Sequence, residues 1–336
     1  MKIAVVESLG SIDNLKIVER PEPKPGPREV LVRLRAATLN YRDIVAIEGG
    51  YGSMQKRENL VPLSDGAGEI VAVGEGVATW KTGDRVVSCF FPDWQGGEAT
   101  ERRLAATLGG SHDGVAAEYR VFGQDHILPI PDHLDFAEAA AFPVAGLTAW
   151  RAVIAQGGIG PGAAVLTQGT GGVSLFALQF ARMAGASVVA TSSSPAKLER
   201  LRELGARHVI NYNEDAKWGQ TARKLTEGGA DLVVDIGGAE TLPHSLKAVR
   251  MGGAIAIIGV VTGGTCELPL FLLMRANAAM RGCSVGSRDQ FADMLRAAAA
   301  HRLRPVLDQT FPLADLSAAL AHLRSGRHVG KVCIAI

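Results

Sequence analysis

The sequence has almost no net charge, few aromatic residues, and four cysteines that never fall into a CxxC pair. Each scarcity excludes something. With 35 basic against 34 acidic residues the formal charge is +1, so there is no electrostatic reason to expect nucleic acid or a membrane surface as partner. Cys89, Cys266, Cys283 and Cys333 are scattered, and read as buried thiols rather than disulfides or a zinc site. No apolar run reaches the length that spans a bilayer, and the opening MKIAVVES lacks the pattern of a signal peptide; a cytoplasmic protein is expected. What the chain has in quantity is aliphatic side chains. It is 47% hydrophobic over 336 residues, ample for two cores and hence two domains.

The stretch 164–192 organises the rest. It runs from an apolar segment (164–167) through a glycine turn and an amphipathic helical segment (172–184) to a second apolar segment (187–191), a βαβ unit. The turn reads GTGGVS. Gly169, Gly171 and Gly172 lack a Cβ and let a phosphate approach backbone N–H groups at a helix start, together with Thr170 and Val173. Ser174 stands in the third glycine place of the GxGxxG fingerprint, where a small residue serves helix–strand packing. Further strands are expected at 208–212, 231–235 and 254–259. A helix is expected over 195–205, with Ser194 as N-cap and Pro195 at its first position. The alternation predicts an α/β, Rossmann-type doubly wound parallel sheet that binds a dinucleotide.

Before it, short β segments at 3–7, 29–36, 68–73, 84–89 and 116–121 suggest a small β-barrel-like domain. After about Thr265 the chain returns to short elements and ends in a strand at 331–336. Residues 1–122 and 266–336 are therefore expected to form one domain, with 123–265 inserted as the nucleotide-binding domain.

VPLSDGAGEIVAVGEGV, KTGDRV, DGVAAEY, AGLTAW, GTGGVS and the closing GRHVGKVCI together resemble the medium-chain dehydrogenase/reductase superfamily, in its zinc-independent quinone oxidoreductase-like branch. The resemblance implies that the first domain is a GroES-like β-barrel catalytic domain. Its zinc-dependent members hold the catalytic metal at three places occupied here by Asn40, Ser64 and Ala145, none a strong zinc ligand, whereas tetrahedral zinc needs three protein donors. The segment 90–114, where the family carries a structural zinc, contains no cysteine. An enzyme without metal is expected.

Without a Lewis acid, the favoured substrates spread incoming charge themselves, as quinones and α,β-unsaturated carbonyls do. The expected activity is NADPH-dependent hydride transfer to such compounds, with hydrogen-bond donors from Asn40, Ser64 and Tyr51. Resemblance to the quinone reductases supports Asn40 and Tyr51 as site lining; Tyr51 as a half-buried loop aromatic stays open. Asp43 and Asp65 read as turn caps or arginine partners rather than acids.

For the cofactor, Ser192 stands where an NAD-binding member carries an acid, with Ser193 beside it and Lys197 following, a group that accepts a 2′-phosphate and favours NADP(H) over NAD(H). Capping for Ser194 and a solvated role for Lys197 remain alternatives. Resemblance adds Tyr212 beside the adenosine phosphate, Thr148 and the turn Gly259, Val260, Val261 at the nicotinamide, and Lys331 near the phosphates. Cys283 is placed by resemblance across the nicotinamide, with a packed core thiol as the other reading. Phe90, Phe91 and Trp94, with Arg102 and Arg103, suggest either an aromatic mouth for a flat substrate or a surface lid. The run 268–274 looks like an exposed edge that a homodimer would cover. Two rival functions remain: a metal-free NADP-dependent alcohol dehydrogenase or carbonyl reductase using Tyr51 or Ser64 as acid, and a low-turnover NADPH-binding protein resembling the lens crystallins.

Overall fold

The computed structural model describes residues 1–56 and 58–336. The chain divides into two compact units, one formed by Met1–Leu147 with Gly286–Ile336 and the other by Thr148–Val285.

The first unit is built around Glu29–Thr38. This strand pairs antiparallel with Asp65–Val73 along one edge and shares its other edge between Tyr119–Gly123 and Lys331–Ala335. A seven-stranded sheet results, running Leu307–Pro312, Lys331–Ala335, Glu29–Thr38, Asp65–Val73, Arg85–Ser88, Ile127–Pro129, with Tyr119–Gly123 attached to Glu29–Thr38. A second sheet of three strands joins Leu15–Glu19, Lys2–Ser8 and Glu58–Leu60. Val32, Leu34, Ile70, Val86, Phe122 and Ile334 fill the core between them. Glu29–Thr38 buries both faces over Val30–Val32 and Ala36–Thr38, while Arg33 between them is exposed.

The second unit is a six-stranded parallel sheet in the order His208–Asn211, Ser187–Ser192, Ala164–Gln168, Ala230–Asp235, Val249–Ile257, Ala279–Gly282. The order reverses at Ala164–Gln168, the switch point at which doubly wound sheets hold nucleotides. Leu166, Val189, Val233 and Ile255 pack with Trp218 and Leu246 on one face. Their neighbours Val165, Val188, Leu232 and Val234 are buried on the other, as the two-residue strand period requires.

Three expectations change. The unit boundaries lie at 147/148 and 285/286, not 122/123 and 265/266. Ile127–Pro129 pairs with Arg85–Ser88 and so stays with the barrel, while Ala279–Gly282 is the sixth strand of the parallel sheet. The late segment also contains a thirteen-residue helix, Arg288–Ala300, with a capping box between Ser287 and Gln290. Finally, the apolar run 268–274 is not an edge strand: it forms the helix Leu270–Ala276 after Pro269, and LFLLMRA contains no β-branched residue to favour a strand.

Candidate functional site

In the second unit, the glycine turn follows Ala164–Gln168 and opens the helix Gly172–Met183. Gly169 adopts φ +77°, a left-handed conformation suited to glycine, and its N–H donates to Thr191 O at 2.8 Å. Gly171 is the N-cap and brings no side chain to the helix start. A Cβ built on Gly171 would meet no protein atom within 4 Å. The internal packing therefore leaves room there, and the glycine keeps the helix N-terminus open to an anion. Thr170 is buried, and Gly172 and Val173 lie in the half-buried first turn.

Ser174 does more than stay small. Its buried hydroxyl donates to Gln168 O at 2.6 Å, tying the helix to the strand end. Beneath lies a chain of buried polar groups that sequence reasoning missed: Gln168 Nε2 donates to Ser245 Oγ (2.8 Å), which donates to Asp235 Oδ2 (2.6 Å). Asp235 Oδ1 accepts from Thr241 Oγ1 (2.6 Å) and Gly238 N–H (3.0 Å).

Ser192 ends the neighbouring strand, and its carbonyl accepts from Tyr212 N–H at 3.1 Å, which brings the two residues together. Ser193 O accepts from Asn213 Nδ2, and Ser194 Oγ caps the helix Pro195–Glu203 by accepting from Lys197 N–H. Tyr212 is exposed, and so are Val260 and Val261 on the turn after Gly259. A Cβ on Gly259 would collide with the Ile236 carbonyl, so glycine is required there. Thr148 is buried, and its carbonyl accepts from Cys283 Sγ at 3.8 Å. Burial pushes the Cys283 thiol up to about 11, so the structure favours the packed core thiol over a thiol facing the nicotinamide.

The polar cluster of the first unit grows out of strand register. Thr38, the last residue of the central strand, pairs with Asp65 on one side and Cys333 on the other. Leu39 N–H then donates to Val332 O, so the departing chain carries Asn40 alongside Lys331. Gly330 enters the last strand at φ +87°, where a Cβ would strike the Val306 carbonyl.

Lys331 is 3% exposed, and its Nζ donates to Leu39 O (2.7 Å), Asn40 Oδ1 (2.6 Å) and Asp65 Oδ2 (3.3 Å). Three acceptors match its three hydrogens. This corrects the expectation that Lys331 approaches the cofactor phosphates, because its donors are already committed. Asp65, fully buried, also accepts from Asn40 Nδ2 (2.8 Å) and Ser64 Oγ (3.2 Å). Asp43 accepts from Asn40 N–H (2.7 Å) and pairs with Arg42 (3.1 Å). Burial pushes the Asp43 carboxyl up to about 6 while Arg42 pulls it down.

Of the three expected donors, Asn40 is half-buried and retains one amide hydrogen without a partner among the described residues. Tyr51 is half-buried, its ring 5.6 Å from the Arg42 guanidinium, which also lies 4.9 Å from the Phe90 ring. Ser64 drops out: its hydroxyl is given to Asp65 and it has no exposed surface. The aromatic loop is corrected too. Phe90, Phe91 and Trp94 are buried against one another, with Trp94 Nε1 bonded to Gly97 O, so they do not line a mouth.

Zinc does not fit this cluster. Asn40 has both its oxygen and one amide hydrogen engaged, Ser64 is donating, and Ala145 has no donor. Lys331 sets a positive charge 2.6 Å from the Asn40 oxygen, where a dication would be repelled. Among the described residues no group of three or more His, Cys, Asp or Glu side chains is placed to hold a metal.

Comparison with known proteins agrees with this architecture. Residues 26–132 match the alcohol dehydrogenase GroES-like domain family and residues 172–300 the zinc-binding dehydrogenase family. A zinc-type alcohol dehydrogenase-like protein of Schizosaccharomyces pombe is 40% identical, covering 100% of this chain and 99% of its own. The crystal structure of a putative alcohol dehydrogenase from Sinorhizobium meliloti 1021 superposes with a TM-score of 0.93 at 40% identity, over 100% of this chain and 99% of that one. A structure described as an NAD-dependent alcohol dehydrogenase gives 0.90 at 34% identity over the whole of both chains. More distant likenesses are an acryloyl-coenzyme A reductase of Sulfurisphaera tokodaii, 29% identical over 99% of both chains, and a mycobacterial protein complexed with NADPH, TM-score 0.84 at 26% identity over the whole of both. With its GroES-like barrel, its parallel nucleotide sheet and relatives that match it from end to end, this chain belongs to the medium-chain dehydrogenase/reductase superfamily of oxidoreductases.

Proposed function

We propose that this oxidoreductase reduces quinones or α,β-unsaturated carbonyls with NADPH and without a metal. The observation that carries the reading is the Asn40–Lys331–Asp65 cluster, a satisfied hydrogen-bond network where metal-dependent relatives need three open ligands. The likeness to an acryloyl-coenzyme A reductase, named for a conjugated substrate, agrees with it.

The bound cofactor supplies the hydride. The chain's own residues supply position and charge. The phosphates are held by the open helix N-terminus at Gly171, Gly172 and Val173, and the 2′-phosphate by Ser192, Ser193 and Lys197, with Tyr212 alongside. The likeness to a protein complexed with NADPH supports this choice. The exposed Val260 and Val261 give an apolar surface to the nicotinamide. As the hydride's electron pair forms the new C–H bond at the β-carbon, the conjugated π electrons shift toward the carbonyl and charge collects on the substrate oxygen, to which the remaining Asn40 amide hydrogen donates. Water supplies the balancing proton, with the Tyr51 phenol as its relay.

Turnover tests the reading. NADPH oxidation by EDTA-treated protein is expected with a benzoquinone, a naphthoquinone and a short enone, and not with a saturated ketone. Asn40→Ala should lower turnover at least about tenfold. Turnover of the saturated ketone alone, or secondary alcohol oxidation with NADP, would transfer the reading to the metal-free alcohol dehydrogenase or carbonyl reductase alternative, on the alcohol dehydrogenase side that the relatives' names favour. NADPH binding without reduction of any of these compounds would favour the crystallin-like alternative.

A homodimer belongs to the same proposal. The helix Leu270–Ala276 leaves Leu270, Phe271 and Met274 61%, 72% and 72% exposed, a face that a second copy would cover.

A further inference from the structure

We infer that Lys331 is the positioning residue of the catalytic cluster: its buried ammonium fixes the Asn40 amide so that one N–H is presented to the substrate oxygen. The inference rests on the reading of Asn40 as the oxyanion donor.

An asparagine amide has two nearly isosteric ends, so which way it faces is decided by its partners. Here the partners leave one choice. Lysine has only donors and an ionised carboxylate only acceptors. Lys331 Nζ therefore holds Oδ1 at 2.6 Å, and Asp65 Oδ2 holds Nδ2 at 2.8 Å. The side chain is pinned at these two points and the backbone at a third, the Asn40 N–H on Asp43, and the one polar hydrogen left over is the second on Nδ2.

The arrangement is poorly explained as a device for stability. A lysine 3% exposed against a fully buried aspartate loses hydration that the attraction barely repays, and packed apolar residues would serve the fold as well. It is well explained as orientation. Without the cation on Oδ1, Asn40 could turn and present its oxygen to the substrate, repelling the developing negative charge instead of holding it.

The test uses selective 15N-asparagine labelling, with the Asn40 NH2 pair assigned by its loss in Asn40→Ala. Lys331→Met is paired with Asp65→Asn, so that no buried carboxylate is left without its cation if the single variant fails to fold. In the paired variant the two Asn40 amide proton shifts are expected to collapse toward those of an exposed asparagine. Turnover should fall about tenfold or more, with the KM for NADPH changed less than about twofold. Lys331→Arg, which keeps donor and charge, should recover most of both readouts. In an Asn40→Ala background, Lys331→Met should cost no further turnover, because the two act as one unit. Unmoved Asn40 amide shifts, or losses that multiply across the two sites, would overturn the assignment. An amide signal that responds while Asn40→Ala keeps full turnover would leave the positioning intact and reject the oxyanion role.

Discussion

Replacing Ser174 with glycine would complete the GxGxxG fingerprint, and a reading based on the fingerprint alone expects the change to be harmless or stabilising. The geometry says otherwise. The Ser174 hydroxyl makes a 2.6 Å buried hydrogen bond to Gln168 O, and Ser174→Ala removes it and leaves a buried carbonyl short of a partner, a loss of about 1–2 kcal/mol. Ser174→Gly loses the same bond and adds a glycine within the helix Gly172–Met183, worth roughly another 0.5–1 kcal/mol. The sum, about 1.5–3 kcal/mol, should lower the melting temperature by about 4–10 °C in a domain of this size. Scanning calorimetry of the parent, the alanine and the glycine variants in parallel separates the two contributions, and dissociation constants for NADPH report whether the loosened turn also weakens the site. A glycine variant that melts at or above the parent would show that the third position wants smallness alone, and the hydrogen-bond argument would be lost.

Three shorter predictions follow from other parts of the molecule. Ser192→Asp puts a carboxylate at the buried strand end proposed to hold the 2′-phosphate; like charges at contact distance in a protein repel by about 4 kcal/mol, so the KM for NADPH should rise at least about tenfold while that for NADH changes less. Equal effects on both cofactors would count against the 2′-phosphate site. Asp43 binds its proton more tightly in the folded protein, at about 6 against an ordinary 3.8, so its stabilising contribution is complete below pH 4 and is lost as pH rises through 6, a swing of about 3 kcal/mol. Melting temperatures should therefore show Asp43→Asn gaining on the parent between pH 4 and 7, and a constant difference would refute the shift. Cys266 is the one exposed thiol, while burial holds Cys89, Cys283 and Cys333 at about 12, 11 and 11. Native protein at pH 7 should release about one equivalent in a rapid thiol titration, and rapid modification of Cys283 by mass spectrometry would contradict its packing.

What was legible in the sequence was what chemistry writes locally. The glycine turn, the cap and proline at Ser194 and Pro195, and the strand–helix alternation are set within a few residues, and each lies where the sequence places it. The role of Lys331 is not legible locally because its partners Asn40 and Asp65 lie 291 and 266 residues away, brought to it only by the pairing of the last strand with Glu29–Thr38. Asp65 resembles a cap or arginine partner in the sequence for the same reason, its actual cation being Lys331. Phe90, Phe91 and Trp94 look alike in a sequence whether they line a mouth or fill a loop's own core, and burial decided for the core. The strand Ala279–Gly282, AMRG, carries no apolar pattern to betray it, which moved the boundary. The helix Arg288–Ala300 does carry a local signal, the Ser287–Gln290 capping box.

The two crossings at 147/148 and 285/286 have a consequence for how the molecule can be remade. Within the inserted unit, the ends meet: Cys283 Sγ lies 3.8 Å from Thr148 O, and Arg151 bonds to Ser284 O at 2.9 Å. Within the barrel unit the cut ends meet as well, since the Leu147 side chain lies against Gly286. An insert whose ends adjoin, in a host whose ends adjoin, is a cassette. The adjoining ends invite a splice that brings in another sheet, and with it another nucleotide preference, provided the first join is set outside the helix Leu147–Trp150, which runs through 147/148.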